Sequence, residues 1–180
     1  MGERQIKNKA VFLDRDGIIN QVIIRDGKAF SPRAREEFII FEDAASAIKA
    51  LKDDGFLVIV VTNQPDIARG KMAQDDLDWM TDKIRKETEV DDVIICPHDD
   101  GDGCDCRKPL PGMILAGAKK WGIDLKYSYM IGDSWKDMEA GSRGGCKCIL
   151  INTVYNQDAI CNIRVNKLYE AVQLIINSCQ

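Results

Sequence analysis

The chain has 180 residues, of which 45% are hydrophobic and 30% charged, with a formal net charge of −4. That length suits one domain over residues 1–180 with a proper core, and the acidic balance argues against a general nucleic-acid or membrane-surface binder, which would be basic. No apolar stretch approaches the roughly 20 residues of a membrane span, and the start, Met1-Gly2-Glu3-Arg4-Gln5-Ile6, lacks both a signal-peptide core and the Ser or Thr of a myristoylation signal at Ile6, so a cytoplasmic monomer is expected.

In chain order, the apolar run from Lys9 to Leu13 predicts a first buried strand, ending at Asp14 with Gly17 breaking the chain beyond it. Asp43 is placed to cap a helix with Ala44, Ile48 and Leu51 on one face and Gly55 just past its end. Leu57-Val58-Ile59-Val60-Val61 is too apolar and β-branched for an exposed strand. Leu77, Met80 and Ile84 mark the next helix and Val93-Ile94-Ile95 the next strand. Pro111 starts a helix reaching Trp121, with Gly122 behind it. Tyr129-Met130-Ile131 is a short strand, followed by a helix ending near Gly144 and Gly145. Lys147 to Ile151 is a last core strand, and Leu168, Val172 and Ile175 predict a C-terminal helix. Such alternation implies an α/β fold, a Rossmann-like parallel sheet flanked by helices. Residues 20–42 and 96–112 do not fit it, and loops of that length are usually functional or disordered. The first carries Arg25, Lys28, Arg33 and Arg35, which make either a solvated charged loop or a cationic rim for an anionic ligand.

Asp14 and Asp16 stand one residue apart at a strand end, where ligands of open α/β sheets bind. Two adjacent carboxylates repel unless a cation or a shared proton relieves them. Alone the triplet also fits an exposed turn. Other strand ends carry matching chemistry. Val61 is followed by Thr62-Asn63-Gln64, a hydroxyl and two amides expected to meet substrate, and Ile131 by Gly132-Asp133-Ser134, with Asp137 one turn on. Between them lies Arg107-Lys108-Pro109. An aspartate can attack a phosphomonoester and a second acid can shuttle the protons. Asp14 and Asp133 suit Mg²⁺, and Lys108 and the Thr62 hydroxyl are the expected clamps on phosphate oxygens. The competing reading of Lys108 is a solvated surface charge, and of Thr62 a strand-end cap.

Together these motifs resemble the haloacid dehalogenase superfamily, from about Lys9 to Ile151. Within it the chain is similar to the branch that holds the D-glycero-D-manno-heptose 1,7-bisphosphate and histidinol-phosphate phosphatases. The resemblance implies no large cap domain, Asp14 as nucleophile and Asp16 as acid/base. It implies Mg²⁺ bound by the Asp14 side chain, the Asp16 main-chain carbonyl and Asp133, with Thr62 and Lys108 steadying the phosphoryl group. It further implies a small phosphorylated sugar as substrate, with release of the C7 phosphate feeding nucleotide-heptose synthesis for lipopolysaccharide or another surface glycan. Ile18, where relatives usually carry Thr or Val, and Pro65 and Asp66, where small residues are common, depart from the pattern.

Seven cysteines, an odd number without a secretion signal, favour reduced thiols or metal ligands over a disulfide framework. Cys146, Cys148, Cys161 and Cys179 read as inert small hydrophobes. Cys96, His98, Cys104 and Cys106 give three thiols and one imidazole within a loop over residues 96–106, a Cys₃His set suited to structural Zn²⁺. Arg107 and Lys108 follow directly, so fixing the loop would fix both cations, and the family resemblance assigns Arg107 to a second, non-reacting phosphate. His98 is the only histidine, so zinc ligation leaves none for a Ser-His or Cys-His mechanism. A phosphoacceptor receiver domain shares clustered acids and Mg²⁺, but it places its acceptor on a middle strand, and the equivalent strand here ends in Thr62-Asn63.

Overall fold

The structure, a computed structural model, describes residues 7–178; residues 1–6 and 179–180, with the readings made on them, lie outside it. Strands β1 (Lys9–Leu13), β4 (Phe56–Asn63), β5 (Asp92–Cys96), β6 (Tyr129–Gly132), β7 (Lys147–Ile151) and β8 (Arg164–Val165) form one sheet in the order β5-β4-β1-β6-β7-β8. Every pairing in it is parallel. The two-residue β8 has no counterpart in the sequence reading, because Arg164-Val165 is too short to leave a period.

Alternation along the strands sorts the core into two layers. Val11, Leu13, Val58, Val60 and Ile131 face α1 (Ala44–Asp53), α2 (Gln74–Thr88) and α5 (Leu168–Asn177), meeting Ile48, Leu51, Met80, Ile84, Val172 and Ile175. Ala10, Phe12, Ile59, Val61 and Met130 face α3 (Gly112–Trp121) and α4 (Trp135–Gly144), meeting Met113, Ile114 and Ala140. A sheet covered on both sides has no polar face, which is why β4 reads as an unbroken apolar run.

Two expectations about helix starts are corrected. Asp43 makes no side-chain cap: its backbone is already in the right-handed helical region, and the Ala44 N–H donates to Phe41 O at 3.1 Å, extending the helix backward as a turn. Pro111 is the residue before α3, which begins at Gly112. Helices α3 and α4 end at Gly122 and Gly145 as their positions predict.

Residues 20–42 are built rather than open. They hold an antiparallel hairpin, β2 (Ile23–Arg25) with β3 (Lys28–Phe30), and Asn20 bridges to both Asp16 and Ile40. Most of the segment's positive charge is already paired: Arg25 with Glu37, Arg33 with Asp66 and Arg35 with Asp76. Lys28 makes no ion pair among the described residues.

The chain runs outward from β1 through β4 to β5, then returns to the far side of β1 as β6. The reversal falls at β1, so the loops leaving β1, β4 and β6 open a crevice at one edge, the usual ligand site of such sheets.

Candidate active site and metal centres

Asp14 follows β1, Asp133 follows β6, and Asp137 lies in the first turn of α4. One carboxylate oxygen from each lies within 4.8 Å of the others. Lys108 enters from the loop after β5, with its Nζ 2.7 Å from Asp14 Oδ1 and 2.6 Å from Asp137 Oδ1, and it donates to Val61 O at 2.9 Å. Three oxygens thus surround one ammonium, on a lysine that is 3% exposed and not the solvated charge of the alternative reading. Burial alone would lower the Lys108 pKa, but Asp137 and Asp14 overcome it and hold the group charged.

Asn63 pins this lysine. Its Nδ2 donates to Lys108 O and its Oδ1 accepts from Lys108 N, both at 3.0 Å. Gln64 Nε2 donates to Asp16 Oδ2 at 2.9 Å and to Thr62 Oγ1 at 2.8 Å. Both amides line the cleft, yet their first partners are inside the protein, where the sequence reading gave them to substrate. Thr62 is buried behind them, its hydroxyl oxygen accepting from Gln64.

Asp16 stands outside the acidic trio but lines the same cleft. Arg15, fully buried, grips it through Nε at 3.1 Å and Nη2 at 2.9 Å, while Asn20 donates at 2.9 Å and Ser31 at 2.8 Å. Burial would raise the Asp16 pKa, but Arg15 and the amide donors outweigh it and hold Asp16 below the ordinary carboxylate value. Asp14 goes the other way: burial first, then the Asp137 carboxylate, push it well up. One motif therefore holds two carboxyls of opposite tendency, the pattern that separates roles in acid–base chemistry.

Close approach explains two glycines. A Cβ at Gly17, whose φ is +84°, would meet Asp133 Oδ2 at 2.0 Å, and one at Gly132 would meet the Asp137 side chain at 2.3 Å. Asp137, absent from the predicted site residues, is fully buried and closes a capping box with Ser134. Its signal was in the sequence, as the acid one helical turn beyond Asp133.

This edge chemistry has a family counterpart. Residues 14–145 match the haloacid dehalogenase-like hydrolases. The chain belongs to this family. It is 36% identical over 150 residues to a D-glycero-β-D-manno-heptose-1,7-bisphosphate 7-phosphatase of Bordetella bronchiseptica, covering 81% of each. It is 39% identical over 160 residues to the α-heptose counterpart of Photorhabdus laumondii, covering 82% of this chain and 84% of that one. The solved D,D-heptose 1,7-bisphosphate phosphatase of B. bronchiseptica, complexed with magnesium and phosphate, superposes with a TM-score of 0.83 at 29% identity, over 94% of this chain and 99% of that one.

As in a haloacid dehalogenase-like hydrolase, the acidic trio suits Mg²⁺, a hard cation that takes carboxylate oxygens and keeps several waters. Asp16 gives the cluster no carboxylate, so its predicted share in the metal would come through its main-chain carbonyl. The second cluster is also well shaped. Cys96 Sγ lies 3.7 Å from Cys104 Sγ and 3.0 Å from Cys106 Sγ, and the latter two are 3.5 Å apart. His98 Nδ1 is 3.6 Å from Cys96 Sγ and 3.3 Å from Cys106 Sγ. These distances are too long for a disulfide; three of them match the edges, about 3.5–3.8 Å, of a tetrahedron with zinc bond lengths, while the Cys96–Cys106 and His98–Cys106 separations are shorter. Arg107 is tied to the same loop, Nε donating to Asp100 at 2.7 Å and Nη1 to His98 O at 3.2 Å, and it lines the cleft.

Burial, then the Asp137 carboxylate, push Asp133 from 3.8 up to about 7 in the metal-free chain. A carboxyl with a raised folded pKa holds its proton more tightly folded than unfolded, so stability falls as pH rises from 3.8 toward about 7. A bound cation competes with that proton. We expect the melting midpoint of chelator-treated protein to fall between about pH 5 and about pH 7.5, and the rise on adding Mg²⁺ to be larger at the higher pH. An equal Mg²⁺ effect at both would contradict this electrostatic reading.

Proposed function

We propose that the protein is a Mg²⁺-dependent phosphatase that removes the C7 phosphate of D-glycero-D-manno-heptose 1,7-bisphosphate through an aspartyl-phosphate on Asp14. The observation that carries this reading is one loop: the Cys₃His cluster runs straight into Arg107 and Lys108, so one segment delivers a cation to Asp14 and a second cation to the rim of the same cleft. The relatives bear heptose-bisphosphatase names over most of their length, which supports the substrate.

The steps follow from the positions. An Asp14 oxygen attacks phosphorus, the bond from phosphorus to the sugar oxygen breaks, and Asp16 gives that oxygen a proton. Asp16 is ionised at rest, and the negative charge of an arriving phosphate raises its pKa toward the acid form. Asp16 then takes a proton from water as the water attacks phosphorus and frees Asp14. Lys108, and Thr62 through its hydroxyl proton, stabilise charge on the transferring oxygens. Mg²⁺, held by Asp14, Asp133 and the Asp16 carbonyl, with Asp137 behind them, would neutralise carboxylate and phosphate charge.

Arg107 would hold the second phosphate at the rim. Lys28, Lys71 and Lys136 line the same cleft and make no ion pair among the described residues, so they add positive potential there. Zn²⁺ on Cys96, His98, Cys104 and Cys106 would be structural, all four ligand positions being taken by protein. Reduced thiols at the six described cysteines suit a cytoplasmic enzyme, and no helix of the described residues is long and apolar enough to cross a membrane.

Phosphate release should be fastest with one anomer of heptose 1,7-bisphosphate, and Asp14→Asn should lose at least about 10³-fold in rate. Arg107→Ala should raise KM for the bisphosphate about 10- to 100-fold, the worth of a charged hydrogen bond, and leave KM for a heptose 7-monophosphate little changed. Preferential turnover of histidinol phosphate would instead favour the sister activity. Elemental analysis should find one zinc per chain, and Cys106→Ser should lower zinc content and melting midpoint together; a zinc-free, fully stable protein would remove the metal from the account.

A further inference from the structure

The loop between β7 and β8 reaches back to the acidic trio. Strands β6 and β7 are neighbours in the sheet, so the residues after Ile151 emerge beside those after Gly132. Tyr155 uses this proximity: its hydroxyl donates to Asp133 Oδ2. The next residue holds the same aspartate from behind, Asn156 Nδ2 donating to Asp133 O at 2.8 Å and to Ile151 O at 2.7 Å. Asn156 is itself 7% exposed, and its Oδ1 accepts from Thr153 N at 2.9 Å, which closes the turn. A dipeptide far from every family motif therefore fixes Asp133 at both side chain and main chain.

The corner is tightly built. A Cβ on Gly17 would come within 2.9 Å of the Tyr155 hydroxyl and 2.0 Å of Asp133 Oδ2, so the motif glycine leaves room for this pair. Tyr155, Asp133 and Ser134 line both the active-site cleft of about 570 Å³ and a neighbouring hollow of about 950 Å³. The phenol thus stands at the boundary between the two, on the carboxylate it orients.

We infer that Tyr155 is a positioning residue for the cleft's cation: it engages Asp133 Oδ2 in a hydrogen bond and sets the carboxylate's rotation, so that the other oxygen is presented to the metal. This rests on the reading of the acidic trio as a Mg²⁺ site. Outer partners of ligating carboxylates restrict their motion, and removing one commonly weakens metal binding 10- to 100-fold.

Tyr155→Phe keeps the ring at the boundary and removes only the donor. Wild type and variant are titrated with MgCl₂ alone, without substrate, and the Mg²⁺ concentration giving half-maximal thermal stabilisation is read together with the metal-free melting midpoint. The expected result is a Mg²⁺ midpoint about 10-fold higher in Tyr155→Phe. At saturating Mg²⁺, most of kcat should return. An unchanged Mg²⁺ midpoint, with or without a lower metal-free melting temperature, would reduce Tyr155 to a packing residue and overturn the inference. A wild type that does not respond to Mg²⁺ at all would fail the metal reading itself and the inference with it, an outcome distinct from equal responses in the two proteins.

Discussion

Two buried carboxylates and a half-buried third, gathered beside one buried ammonium, are the constraint on which the rest of this structure turns. Asp14, Asp133 and Asp137 bring three negative charges, Lys108 brings one positive, and the difference is two negative charges, the complement of one divalent cation. Removing charges from water costs several kcal/mol each unless partners replace the lost hydration. Here the ammonium has one carbonyl and two carboxylates around it, whereas the acids remain over-concentrated, and burial pushes the Asp14 and Asp133 pKa values up. A site that retains protons without metal would lose them to a bound divalent cation. The same electrostatic demand that makes the cluster costly as architecture makes it useful as chemistry.

The fold meets this demand from several directions. Parallel pairing sets the ends of β4, β1 and β6 side by side, which brings Asn63, Asp14 and Asp133 to one edge. Asn63 grips the Lys108 backbone from the sheet, and the Cys₃His loop approaches the same backbone along the chain. The hairpin segment sends Ser31 to Asp16 across the crevice. An ion-pair chain ties the walls together, from Arg33 through Asp66 and Arg69 to Asp99. Charges that the sequence left open between a solvated loop and a rim for an anionic ligand are thus largely engaged in ion pairs.

Legibility in the sequence followed the range of each interaction. The core strands could be read because burial on both faces writes itself as consecutive apolar residues, as in Leu57 to Val61. The clustered acids and the cysteine cluster could be read because they sit in short, fixed spacings. Side-chain destinations could not. Asn63 and Gln64 look alike as exposed donors at a strand end, and only the fold shows one clamping Lys108 and the other bracing Asp16. Arg15, which has no role readable from its place between two acids, is a fully buried arginine gripping Asp16. Tyr155 and Asn156 gave no local signal, since their meaning depends on β6 and β7 being neighbours 18 residues apart in register, as Met130 is beside Cys148.

The division of labour between Asp14 and Asp16 is the claim most directly open to measurement. Rapid acid quenching during turnover of the bisphosphate, followed by peptide mass spectrometry, reads which side chain carries phosphorus. The account predicts a hydroxylamine-labile phosphoryl group on Asp14 that disappears when substrate is exhausted. A phosphoryl group on Asp16, or turnover with none on Asp14, would contradict it.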